Sequence, residues 1–532
     1  MRDTAHSELP HHDGTLWELL CRRVRRTPGA TALVQAGGTP AADRRTGFAA
    51  LHDLALRIAA GLHERGVRPG DTVVWQLPTR TGTVALSLAL ARLGAVQSPL
   101  IPTCRDRDVG LALRRTDAAC FVHPGVWRGF DHAEMARRLL PGLRRTPLLL
   151  DDASLPDGDP ARLPPPPTDP DAVRWIYWTS GTTAEPRGVL HTDRSLLAGG
   201  GALLRALRLT ADDVGSIAFP YAHIGGADYL VMLLLRGFPA VLFEKFALPG
   251  DLAALRRLGV TTAGGSTAFY RMFLAEQRKR PGGRLLPSLR LLAGGGAPLP
   301  DELHEAVVGE LGCALAHGYA MTEAPMVTMS DPRGPGPGTP RTEGRPPPGM
   351  EIRVTDGRGV RLPPGADGEV RLRGAAVCRG YLRAEDDAEA FDAEGWLRTG
   401  DRGRLTTDGE LVLTGRIKDV IIRKGENISA QEIELLLHTH PAVGDVAVIG
   451  LPDGERGERV CAVVEPPHTA RGTERATGAL TLTGAVAYLR ERGVAAHKLP
   501  EQLEIVAELP RNDTLRKVLK HELRERFSPR SP

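Results

Sequence analysis

Hydrophobic positions in the first half of the chain come in two kinds of run. Residues 71–77, DTVVWQL, form a short apolar block and predict a buried strand. Residues 84–95, VALSLALARLGA, stay apolar over three turns and predict a helix that is amphipathic or wholly buried; VQSPL after it predicts another strand. This alternation predicts an α/β fold in which parallel sheets carry helices on their faces. No repeat with a period of about 20–50 residues is present.

Two stretches punctuate the pattern. Residues 163–173, LPPPPTDPDAV, read as exposed polyproline, and 331–349, DPRGPGPGTPRTEGRPPPG, as a long turn-rich connection. The short runs EIRVTD and GEVRLRG that follow predict an antiparallel or barrel-like subdomain. Beyond Gly415 the pattern changes again. SAQEIELLLHTH opens with Ser429 and has Glu432 three residues later, a capping box, with Ile433, Leu436 and Leu437 on one helical face. DVAVIGLPD and VCAVVEPP predict strands. The chain therefore divides into a large N-terminal domain, 1–415, and a small C-terminal α/β domain, 416–532.

Length and charge narrow the function. The 532 residues suit about three or four folding units. Lys and Arg total 68 against 64 Asp and Glu, a net +4 with the charges interspersed; no basic stripe points to nucleic acid. The six cysteines, Cys21, Cys104, Cys120, Cys313, Cys378 and Cys461, include no CxxC pair, which argues against a metal cage or disulfide framework and for a reducing compartment. The N-terminus lacks the apolar core of a signal peptide. The most apolar run, YLVMLLLRGFPAVLF, is interrupted by Arg236 and Pro239 and is too short to span a bilayer. The expected location is the cytoplasm.

Four stretches carry chemistry. In WTSGTTAEPRGVLHT, residues 178–192, a predicted strand leads into a loop of glycines and hydroxyls, and SLLAGGGALLRAL beyond it predicts a helix. Such a loop between strand and helix offers N–H and O–H donors to phosphate oxygens, and Arg187 adds a positive fork. A tight surface turn is the plainer reading, and the loop is no Walker A motif. LRLLAGGGAPLP, residues 289–300, runs a strand into three glycines that let backbone approach a flat ligand. In HGYAMTEAP, residues 317–325, Tyr319 suits base stacking, Thr322 a phosphate and Glu323 a Mg²⁺ ion, although each alone reads as core tyrosine, cap and solvated acid. WLRTGD, residues 396–401, places Asp401 in a predicted turn, as a ribose acceptor or a local cap.

In this order and spacing the motifs resemble the adenylate-forming superfamily of acyl-CoA synthetases, stand-alone adenylation domains and beetle luciferase. TSGTTAEPRGVLHT and GRIKDVIIRKGENISAQEIE are most similar to bacterial acyl-CoA ligases of the cyclohexanecarboxylate type, and the likeness covers about residues 15 to 525. The resemblance implies that Thr179, Ser180, Gly181, Thr182 and Thr183 cradle the ATP phosphates beside Arg187. It implies that Gly295, Gly296 and Ala297 line the adenine slot, with Tyr319 stacked on the base. Thr322 is expected to meet the α-phosphate, Glu323 to hold Mg²⁺, and Asp401 and Arg416 to hold the ribose. His223 is expected at the acyl pocket or thiol tunnel, and TTAGGSTAFY, 261–270, as pocket wall. Lys418 matches the hinge about which a mobile small domain turns, and 424–427 the CoA path.

The chain departs from the family pattern at Ala184, Arg187 and Ala320, which replace glycine, lysine and glycine, and near its C-terminus. LPRNDTLRKVLKHELR lacks the usual Gly-Lys. Aligning VLKHELR makes Lys517 the catalytic lysine, whereas counting from Pro510 points to Arg516; the first alignment is preferred. Gly225, Gly226, Ala227, Ala263, Gly264, Gly265 and Ala268 leave room for a bulky or elongated apolar acid, or else serve helix–sheet packing. The implied activity is an ATP-, Mg²⁺- and CoA-dependent acid–thiol ligase. A loader of carrier-protein pantetheine and a non-catalytic nucleotide- or ligand-binding homologue are the alternatives.

Overall fold

The computed structural model describes residues 13–179, 186–280, 282–334, 341–424, 426–467, 480–512 and 516–528. Among these, the strands collect into two large sheets, of eight and seven strands, and smaller sheets of four and five, beside one two-stranded ribbon. The eight-stranded sheet is parallel through Thr31–Gln35, Ala240–Leu242, Gly215–Ile217, Thr262–Gly265, Leu291–Gly295 and Ala314–Met321. Antiparallel strands, Arg44–Gly47 and Ala324–Met329, close its two edges. The seven-stranded sheet contains the predicted Thr72–Trp75 and Val96–Pro99 strands side by side and parallel.

Thr81–Leu93 forms the predicted helix, and it is buried on every side from Thr83 onward. It lies in the main core between the two large sheets, against Leu33, Trp75 and Leu242, which explains its lack of a polar face. Each leucine buried there contributes about 1.5–3 kcal/mol of hydrophobic stabilisation. EIRVTD and GEVRLRG pair antiparallel, as Met350–Thr355 and Gly368–Gly374, in the four-stranded sheet with Leu397–Leu405 and Leu411–Arg416.

After Arg416 a 3-10 turn, Ile417–Asp419, leads into the five-stranded sheet and its own core around Ile433, Val448 and Val460. Ser429 caps the helix Ala430–Leu437 through the Glu432 N–H at 3.3 Å. The reciprocal half of the expected capping box is absent, because the Glu432 carboxylate is paired with Lys498 at 2.7 Å. No helix among the described residues is long and apolar enough to cross a membrane.

Candidate active site

Glycine-rich strand ends build the floor of the site. Gly295 lies opposite Gly318 in parallel register. A Cβ on Gly295 would come within 2.2 Å of the Gly318 carbonyl oxygen, so the strands can approach only as glycines. Gly296 follows at φ +85°, a left-handed conformation. The Ala297 carbonyl accepts a hydrogen bond from His317 Nε2 at 2.8 Å. Burial pushes the His317 pKa down to about 4, so this ring is neutral and donates from Nε2. Gly295→Ala is expected to destabilise the fold by about 1–3 kcal/mol through overpacking, read as a lower urea midpoint.

Beside this floor, Tyr319 packs its ring among Val189, Val327 and Leu372 and donates its hydroxyl to Asp401 Oδ2. Arg416 Nε approaches Asp401 Oδ1 at 2.9 Å. Asp401 and Arg416 are cross-strand partners in an antiparallel pair, which sets them face to face. Asp401 thus stands within a strand, not in the expected turn, next to a register shift at Arg402/Gly403. A carboxylate has about four lone-pair positions, so two remain for further donors.

Thr322 and Glu323 form the turn joining Ala314–Met321 to Ala324–Met329. His191 holds this turn: Nε2 lies 2.8 Å from the Thr322 carbonyl, and Nδ1 lies 2.9 Å from Ser195 Oγ. Burial pushes its pKa down to about 4 as well, so the imidazole donates to Thr322 as a neutral group. Glu323 Oε1 accepts from the Tyr381 hydroxyl at 2.8 Å. Burial holds this carboxyl above the usual range, against the Tyr381 bond. No cluster of three or more His, Cys, Asp or Glu able to hold a metal occurs among the described residues. One buried carboxylate fits Mg²⁺, which keeps water and phosphate oxygens as its other ligands.

The phosphate-loop expectation is changed in one respect. Thr179 ends the strand Val173–Thr179, and the chain returns antiparallel as Arg187–Thr192 before the helix Asp193–Ala206 begins. The loop is therefore a strand-to-strand connection, and a second strand separates it from the helix N-terminus. Ser180, Gly181, Thr182 and Thr183 lie outside the described residues. Arg187 pairs with Asp386 at 3.2 Å and with Glu389, both on the helix Ala384–Ala390.

His223 Nδ1 accepts from the Gly225 N–H at 3.2 Å and caps the helix Ile224–Arg236. Burial, then the nearby Lys517 cation, pushes its pKa down to about 4. Of the small residues read as pocket walls, Gly226 and Gly264 are required for packing. A Cβ there would meet the Tyr221 and Ala293 carbonyl oxygens at 2.0 and 1.8 Å.

Lys517, from the small domain and half-buried, lies within electrostatic reach of Asp401, Arg416 and Glu323. Burial pushes its pKa down to about 8; Arg416 adds to the shift, while Asp401 and Glu323 oppose it. The lysine loop is fixed by two bonds: Lys517 N–H to Asn512 Oδ1 at 3.1 Å, and Asn512 N–H to the Lys517 carbonyl at 2.9 Å. Arg516 precedes it at φ +56° and turns outward to Glu508 at 3.0 Å. Lys418 sits in the 3-10 turn immediately after Arg416. In the segment expected on the CoA path, the Lys424 N–H donates to the Arg456 carbonyl at 2.8 Å and Lys424 has φ +50°, while Gly425 lies outside the described residues.

Sequence reasoning missed His191, His317 and Tyr381. Both histidines stood inside motifs already singled out, but their bonds are to backbone carbonyls of other motifs, for which residue type gives no signal.

Two family models match the chain: the AMP-binding enzyme model over residues 20–382 and the AMP-binding enzyme C-terminal domain over 432–515. The salicyl-AMP ligase / salicyl-S-ArCP synthetase of Mycobacterium tuberculosis is 34% identical over 93% of this chain and 88% of its own length. The medium-chain fatty-acid–CoA ligase of Escherichia coli is 30% identical over 96% of this chain and 90% of its own. The structure of o-succinylbenzoate coenzyme A synthetase from Bacillus subtilis, in complex with ATP and magnesium ion, is similar with a TM-score of 0.79 and 27% identity, covering 94% of this chain and 99% of that one. On these matches, which together span most of its length, the chain belongs to the AMP-binding enzyme family of adenylate-forming ligases.

Proposed function

We propose that the protein is an ATP-dependent acyl-CoA ligase of the cytoplasm that activates an apolar carboxylic acid as its acyl-adenylate and passes the acyl group to CoA. The observation that carries this reading is the placing of Lys517, half-buried, within electrostatic reach of Asp401, Arg416 and Glu323. In the reaction, a substrate carboxylate oxygen attacks the α-phosphorus of ATP and pyrophosphate leaves. The acid is ionised near neutral pH, so no protein base is needed. As the oxygen attacks, negative charge builds on the phosphate oxygens, and the Lys517 ammonium and the Thr322 hydroxyl stabilise it as fixed donors. A Mg²⁺ ion held by Glu323 supplies further neutralisation of phosphate charge. Asp401 and Arg416 orient the ribose, the strip Gly295–Ala297 and Tyr319 the adenine, and the hydroxyls 179–183 the outer phosphates. Arg187 reaches those phosphates by exchanging Asp386 and Glu389 for them.

In the second step the CoA thiol attacks the acyl carbon and AMP leaves. Lys517 lies within electrostatic reach of His223; to admit the thiol, the small domain, 416–532, turns about Lys418 relative to 1–415 and brings the 424–427 segment forward. A second reading is favoured by one comparison: the 34% identical relative is named for loading an aryl carrier protein, and this site would serve a carrier pantetheine by the same chemistry.

The Lys517 environment predicts a pH profile. The ammonium is lost as pH rises through about 8 in the free enzyme, and kcat/KM reports free-enzyme groups. Acid-dependent ATP–pyrophosphate exchange is expected to show an alkaline limb in kcat/KM near pH 8. Lys517→Arg, which cannot deprotonate in this range, removes that limb; a limb unchanged by this substitution assigns it to another group.

A further inference from the structure

A polar tie between the domains starts on the helix that follows the glycine strand of the eight-stranded sheet. Arg271 lies on the helix Thr267–Arg278, which begins directly after the glycine strand Thr262–Gly265. Its Nη2 lies 3.4 Å from Nδ1 of His438, at the end of the small-domain helix Ala430–Leu437. The other ring nitrogen, Nε2, lies 3.4 Å from Asp445 Oδ1. Asp445 accepts from Arg511, which also approaches Glu465 at 3.3 Å. Arg511 is bridged to Val518 and precedes Asn512, the residue that bonds Lys517 twice. The chain of contacts has one consistent polarity: the guanidinium donates to Nδ1, and Nε2–H donates to the Asp445 carboxylate. It runs from the helix Thr267–Arg278 to the loop that carries Lys517.

We propose that Arg271 is a positioning residue: through His438, Asp445 and Arg511 it holds the small domain in the orientation that places Lys517 in the site, and so serves the adenylation step alone. This rests on the function proposed above. Contacts made in only one of two domain orientations bias the population toward that one. Losing this one contact disfavours the orientation with Lys517 inside and leaves the other orientation's chemistry intact.

The test compares Arg271→Ala and Arg271→Lys with the wild type in three measurements. Acid-dependent ATP–pyrophosphate exchange reads adenylation. Release of acyl-CoA from supplied acyl-adenylate and CoA reads the second step. Amide hydrogen exchange over 509–519 reads the lysine loop without any turnover. For Arg271→Ala the expected result is an exchange rate lower by about tenfold, thioester formation within about twofold, and faster amide exchange at 509–519, each partly restored in Arg271→Lys. Equal losses in both half-reactions, or no change in amide exchange, overturn the proposal. Should Arg271→Ala fail to fold, His438→Ala removes the same tie from the other side and carries the same expectations. A wild type that adenylates no acid overturns the functional reading instead, while amide exchange still decides whether Arg271 holds the loop.

Discussion

Lys517→Ala is expected to lower acid-dependent ATP–pyrophosphate exchange by about 10²–10³-fold, the usual effect of deleting a fixed donor aimed at developing charge. Thioester formation from supplied acyl-adenylate and CoA should stay within about threefold, because in the proposed second step the small domain is turned and the lysine withdrawn. Arg516→Ala should change neither rate by more than about twofold, since its side chain points to Glu508 at the exposed surface. The pair separates two alignments that the sequence leaves open. A large loss in Arg516→Ala with Lys517→Ala active would reverse the assignment. Lys517 also bears on the second step: its pKa is depressed chiefly by burial, with Arg416 adding to the shift. A bound nucleotide triphosphate offsets that cost, and once pyrophosphate has left, less anionic charge holds the amine in place.

The second large effect is expected at Glu323. Glu323→Gln keeps an oxygen for the Tyr381 hydroxyl, which donates to Oε1 at 2.8 Å, and so preserves the local fold. It removes the anionic ligand. Pyrophosphate exchange should fall by about 10²-fold, and the Mg²⁺ concentration for half-maximal activity should rise about 10–100-fold. Thermal stability should be unchanged or slightly higher, because the carboxyl is held above the usual range by burial and a neutral amide avoids that penalty. A loss of activity with an unchanged Mg²⁺ dependence would remove Glu323 from the metal and leave it a structural partner of Tyr381.

Much of the frame was legible because burial leaves a periodic trace. DTVVWQL, VALSLALARLGA and the paired strands of the small domain all fold as their patterns predict. Errors fell where a local signal had a distant competitor. RGVLHT is short and half polar, and pairing with Val173–Thr179 on one side and Gly380–Tyr381 on the other makes it a strand. Asp401 looked like a turn residue because a glycine precedes it, yet its sheet partner Arg416 keeps it extended. The Ser429 box is half made because Lys498, 66 residues away, takes the Glu432 carboxylate. The site shows the same division. Gly295, Tyr319, Thr322, Glu323 and Asp401 lie in contiguous motifs that a sequence displays. The groups that hold them, His317 on Ala297, His191 on Thr322 and Tyr381 on Glu323, act across 20, 131 and 58 residues. The Arg271–His438 contact spans 167 residues and two domains, with no local pattern to announce it.

The departures from the family pattern have physical consequences. Arg187 in place of lysine presents a planar fork suited to carboxylates, and in the structure it binds two of them, Asp386 and Glu389. The proposed movement of Arg187 toward phosphate would therefore be coupled to the helix Ala384–Ala390, which a lysine's point charge would hold less firmly. Ala320 in place of glycine is accommodated because this residue is exposed on its strand, beyond the Gly295–Gly318 approach.

Mass spectrometry of the products formed from Mg·ATP, CoA and a panel of aliphatic, alicyclic and aromatic acids tests the ligase assignment most directly. The expected products are AMP and acyl-CoA in equal amounts, both dependent on the acid, and enzyme-bound acyl-adenylate when CoA is withheld. Acyl-adenylate that persists in the presence of excess CoA would contradict the assignment of CoA as acceptor, and ATP left intact with every acid would contradict the ligase itself.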